Sequence, residues 1–103
     1  MVSTVTLNIP QNAESLLLNL TNNIGCLTSV RVTITNIKQD GPTPAEEIVY
    51  DKVSYIPGRS TLTLEYPIQQ TEYSDPSAPT VLRVSISSAS NHIDACYNYK
   101  YTS

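Results

Sequence analysis

Apolar and polar residues alternate with a period of two along most of this chain. Val5, Leu7 and Ile9 are interleaved with Thr4, Thr6 and Asn8, and Pro10 ends the run. In extended backbone successive side chains point to opposite faces, so this pattern predicts a half-buried strand. Leu16, Leu18 and Leu20 repeat it, with Leu17 adding an apolar group to the polar face. Leu16, Leu17 and Leu20 also fit one face of a helix over 11–20, which is the competing reading of that stretch. The sequence TNNIG at 21–25 then signals a turn. Val30, Val32 and Ile34 alternate with Arg31, Thr33 and Thr35 in the cleanest strand pattern of the chain.

Two proline-containing segments interrupt the second half. Residues 38–47 read as a loop, with Asp40, Gly41 and Pro42 forming the turn and Pro44 stiffening it. Ile48 to Tyr55 predicts a strand with apolar or aromatic groups on both faces. Pro57 and Gly58 make a tight turn, and Leu62, Leu64 and Tyr66 mark the next strand, so the two runs are expected to pair as a hairpin. Residues 67–79 read as a second long loop. Leu82, Val84 and Ile86 alternate within 81–88, a polar turn spans 88–92, and a last strand is expected over 93–102. Seven or eight short strands separated by turn signals predict an all-β fold, a single β-sandwich over 1–103 of jelly-roll or Ig-like type. Residues 1–10 would form either an N-terminal connector or an edge strand.

Composition agrees with this pattern. The chain has seven Tyr, seven Pro and only three Gly, and lacks Trp and Phe. β-Branched and aromatic residues suit a pleated surface, and frequent proline disfavours long helices. Six basic residues stand against nine acidic ones, a net charge of -3, with no basic cluster. Nucleic acid is therefore not an expected partner, because binding phosphate requires several cations that displace counterions. No run is long and apolar enough to predict a membrane span. The start, MVSTVTLNIP, lacks both the positive region and the apolar stretch of a secretory signal.

Candidate chemistry is sparse. His92, Asp94 and Cys96 share one strand face, but same-face neighbours lie roughly 6.5–7 Å apart at Cα, too far for easy convergence on one ion. No paired ligands accompany them, so no metal is expected. Glu46 and Glu47 are adjacent and a strand would point them to opposite faces. There is no G-x-S-x-G elbow and no glycine-rich phosphate loop. The chain is thus expected to be non-catalytic, with no cofactor and no small-molecule ligand.

The last strand and the cysteines carry more information. Ala95, Tyr97, Tyr99 and Tyr101 fall on one face, with Asp94, Cys96, Asn98 and Lys100 on the other. The tyrosines either cover the edge of the core or contact a neighbouring subunit. Cys26 and Cys96 admit three states: an intrachain disulfide, free thiols, or crosslinks between chains. An intrachain bridge would close a loop of about 70 residues and stabilise by roughly 4 kcal/mol in a chain-entropy treatment.

The closing segment Ala95-Cys96-Tyr97-Asn98-Tyr99-Lys100-Tyr101-Thr102-Ser103 resembles the last strand of the endospore appendage fibre subunits of Bacillus-type spores. Those subunits end in a strand with a cysteine, then a basic residue followed by Tyr-Thr, matched here by Cys96, Lys100, Tyr101 and Thr102. The order of strand, Pro-Gly turn, strand and loop over 48–86 is compatible with their jelly-roll. The resemblance implies self-assembly into a fibre and makes Cys96 the crosslinking candidate. The family's N-terminal connector typically carries cysteines, whereas the first 25 residues here have none, and Cys26 has no counterpart.

Together these features predict a structural, self-assembling subunit of an extracellular fibre or surface appendage, a homo-oligomer joined by strand addition and interchain disulfides. The assembly strands would be residues 2–9, through Val5, Leu7 and Ile9, and 94–102, through Tyr97, Tyr99 and Tyr101. The alternative is a monomeric Ig-like adhesion, binding or capsid-decoration module. The location expected is extracellular or on a spore surface without a signal peptide, and for the alternative cytoplasmic or on a virion.

Overall fold

Seven strands form in a computed structural model that describes residues 2–10, 12–38, 45–68 and 80–101. They are β1 (Val2–Ile9), β2 (Ala13–Asn22), β3 (Thr28–Lys38), β4 (Ala45–Ile56), β5 (Thr61–Pro67), β6 (Thr80–Ser88) and β7 (Ile93–Tyr101). They make two antiparallel sheets, one ordered β1-β6-β3-β4 and the other β5-β2-β7. The fold is an all-β sandwich, as the alternation predicts.

The apolar positions of each strand explain which face turns inward. In the larger sheet Val5, Val84, Ile34 and Tyr50 form one transverse row, and Leu7 pairs with Leu82 in the adjoining row. In the smaller sheet Leu16, Leu18 and Leu20 lie on the central strand. Leu18 is flanked by Leu64 and Tyr97, and Leu16 by Tyr66 and Tyr99. The three leucines and Val30, Val32, Ile34, Leu82, Val84 and Ile86 are all buried in one cluster. Burying a side chain of this size stabilises by about 1.5–3 kcal/mol, so the interleaved rows hold the layers together. The helical reading of 11–20 fails because Leu16, Leu18 and Leu20 need period two to meet that core.

Two expectations are corrected. The runs on either side of Pro57 and Gly58 do not pair as a hairpin: β4 lies in one sheet and β5 in the other, where β5 pairs with β2. The partner of β4 is β3, and that ladder runs to Lys38↔Ala45. The predicted loop over 38–47 is accordingly shortened at both ends, since cross-strand pairing outweighs local turn composition there. Its turn, residues 40–42 and Pro44, lies outside the described residues, as do 69–79 of the second loop and Thr102.

A polar plug explains how the chain leaves β4 for the other sheet. Asn22, fully buried at the end of β2, donates through Nδ2 to the carbonyls of Cys26 (2.8 Å), Ile56 (3.1 Å) and Pro57 (3.3 Å). Its Oδ1 accepts the Ile24 N–H at 3.2 Å. The Asn22 N–H bonds the Ser60 carbonyl and the Arg59 N–H bonds the Ile24 carbonyl, both at 2.9 Å. Arg59 adopts a left-handed φ of 56°, which reverses the chain tightly and lays β5 against β2.

Candidate assembly edges

Each sheet has two edges, and the four edge strands differ in how they discourage further pairing. β4 carries Glu46, Glu47, Asp51 and Lys52, and a bulge at Val49, where pairing shifts between Ile34↔Tyr50 and Thr35↔Ile48. Charges and bulges are standard protections of an exposed edge. β5 is only seven residues long and ends at Pro67. β1 has none of these features: its eight residues, VSTVTLNI, contain no charge and no proline, and they pair with β6 in unbroken register. Among the described strands β1 pairs on that side only. β7 is nine residues long, and its only charges are Asp94 and Lys100 near its ends.

The two sides of the sandwich also differ. On the β4–β5 side the layers are joined by Tyr50 and Tyr66, whose rings meet edge-on with centroids 6.3 Å apart. Lys52 caps this contact with its ammonium 5.5 Å from the Tyr50 centroid. On the β1–β7 side lies an open cleft of about 380 Å³, lined by Ser3, Thr4 and Val5 from β1, Ile86 beneath, and Ile93, Asp94, Ala95 and Tyr97 from β7. Val5 and Leu7 remain half-buried there, and Val2 is 70% exposed.

The predicted assembly residues are therefore brought to one side of the molecule. Val5, Leu7 and Ile9 face inward on β1, with Ile9 buried. Tyr97 and Tyr99 pack against the core cluster, whereas Tyr101 is exposed and meets Tyr99 edge-on at 6.4 Å. Burial pushes the Tyr97 hydroxyl above its ordinary pKa. Burial also raises Tyr99, and the neighbouring Tyr101 adds to that shift. The tyrosines thus line the margin of the core with their outer parts still accessible.

Cys96 faces outward on β7, opposite Asn19 of β2, and Cys26 sits in the bend before β3. Both are exposed and unbonded, so the intrachain disulfide is not formed. His92, Asp94 and Cys96 are all exposed, and Asp94 accepts a 2.7 Å hydrogen bond from Asn23 Nδ2. Among the described residues no three His, Cys, Asp or Glu side chains are grouped to hold a metal. No helix there is long and apolar enough to cross a membrane.

Two features escape a reading of alternation alone. One is the contribution of Ser3, Ile86 and Ile93 to the cleft, which depends on which strands share a side. The other is an apolar patch of Ile48, Val53 and Tyr55 on the outer face of β4, visible in the sequence only as apolar groups on both faces. No protein-family model matches the chain, and no curated protein matches it significantly.

Proposed function

We propose that this protein is a non-catalytic structural subunit that assembles with its own copies into an extracellular fibre or surface appendage. Assembly proceeds by strand addition at β1 and β7, each of which pairs on one side only among the described strands, with Cys26 and Cys96 available as exposed thiols for crosslinks between copies. The observation that carries this reading is the undefended edge of β1, eight residues without charge, bulge or proline beside an open cleft of mixed polar and apolar lining. An unpaired row of N–H and C=O groups in such a strand is a template for another chain. The terminal resemblance to endospore appendage subunits points the same way, and a spore surface is the matching location. A monomeric binding module stapled by Cys26–Cys96 is less well supported, because the two cysteines are not bonded to each other.

The reading is tested by light scattering on the reduced chain, together with gels of native material run with and without reductant. Species larger than a monomer in solution, and a ladder collapsing on reduction, support it. Monomer under every condition rejects it.

A further inference from the structure

We infer that the partner of β7 is the β7 strand of a second copy, added antiparallel about a two-fold axis through Tyr97; this rests on the assembly reading above. The strand is self-complementary in charge and size. In antiparallel pairing, directly opposite residues lie on the same face. A register centred on Tyr97 sets Asp94 opposite Lys100 of the second copy, and Lys100 opposite its Asp94. Cys96 then faces Asn98, and the small Ala95 faces the large Tyr99.

All four outer-face residues, Asp94, Cys96, Asn98 and Lys100, are exposed, and Ala95, Tyr97 and Tyr99 on the inner face are half-buried and gain cover on pairing. Asp94 already accepts from Asn23 and keeps its second carboxylate oxygen for an incoming cation. Lys100 lies 3.8 Å from Glu65, with its side chain still 58% exposed, so it can turn to the new partner. The charge-free β1 offers neither Asp94 nor Lys100 an ion-pair partner. Displacing the register by two residues pairs Asp94 with Asn98 and Lys100 with His92, which loses both ion pairs. The centred register extends the smaller sheet to β5-β2-β7-β7-β2-β5 across the two copies. A two-fold contact closes at two copies, so growth beyond the pair falls to another edge.

The test uses the full chain with Cys26→Ser, under reducing conditions, and measures self-association by analytical ultracentrifugation. Asp94→Lys and Lys100→Asp each turn two attractions into two repulsions and are expected to weaken association roughly tenfold, whereas the double variant restores it. Wild-type association with all three variants unchanged overturns the β7 pairing and leaves assembly standing; a wild type that never associates overturns both. A second measurement does not depend on charge. Cys26→Ser is mixed with Cys26→Ser/Cys96→Ser/Asn98→Cys and oxidised mildly. Directly opposite positions have Cα atoms about 4.5–5.5 Å apart, against about 7–8 Å for diagonal ones. The mixed 96–98 disulfide is expected to outnumber both like-with-like disulfides; a statistical mixture contradicts the register.

Discussion

Gly58 lies so close to Gly25 that a Cβ added to it would stand 2.4 Å from the Gly25 carbonyl carbon and 2.9 Å from the Cys26 nitrogen. Both obstacles are backbone, so neither can swing aside. This contact joins the bend after β2 to the turn after β4, where the chain crosses between sheets. Gly58→Ala is expected to destabilise by about 1–3 kcal/mol through overpacking, towards the upper end. The midpoint of urea unfolding measures it, with Gly25→Ala as the control, since a Cβ there meets only Arg59 Nε at 3.9 Å.

Asn22 holds the same crossing by hydrogen bonds. Asn22→Ala removes the donor serving the Cys26, Ile56 and Pro57 carbonyls, and leaves the buried Ile56 carbonyl and two part-buried ones without it. The expected loss is about 2–3 kcal/mol. Asn22→Asp keeps the shape but brings carboxylate oxygens against those carbonyls, and is expected to cost at least as much. Thermal unfolding of both variants beside wild type checks the order.

These two residues also mark where sequence reading stops. Val5/Leu7/Ile9, Val30/Val32/Ile34 and Leu82/Val84/Ile86 announce their strands because one buried face forces period two. Pro57-Gly58 announces a chain reversal equally clearly. A reversal does not state whether the next strand bonds to the previous one or crosses to the opposite sheet. That choice is made by Asn22, distant in sequence, and by the left-handed Arg59. The tyrosine face of β7 and the outward Cys96 were legible as a pattern, but their neighbourhood with β1 depends on strand order, which alternation does not encode.

Alkaline pH is expected to weaken the fold through the tyrosines. Tyr97 and Tyr99 have pKa values raised above the ordinary 10.0, chiefly by burial. The unfolded chain therefore loses these protons first and binds fewer of them than the native state, so stability falls as pH rises. The full contribution is present below about pH 10 and is lost as pH climbs through the raised folded values. Urea midpoints between about pH 8 and 11 follow this, and Tyr97→Phe should flatten the dependence.

Asp51 gives the opposite dependence at low pH. Arg31 donates to it from Nε at 2.8 Å and Nη2 at 2.6 Å, and that hydrogen bonding holds the carboxyl below its ordinary pKa. The contribution is present above the unfolded value and is lost as pH falls through the folded one. Because the pair is exposed, the effect is expected to be small and to shrink with salt. Asp51→Asn should abolish it, as chemical-shift titration of the wild-type carboxyl and acid unfolding of both proteins will register.

The proposed assembly through the β1 and β7 edges is tested most directly by electron microscopy of the purified full chain beside its Ser3→Lys variant. Ser3 is exposed on β1 and lines the cleft, opposite Ile86, so a lysine there sets an inward charge on the open edge while sparing the core. The expected result is extended polymers of the wild type and dispersed, folded particles of Ser3→Lys with an unchanged circular dichroism spectrum. Wild-type chains that stay single at every concentration, or Ser3→Lys polymers indistinguishable from wild type, contradict it.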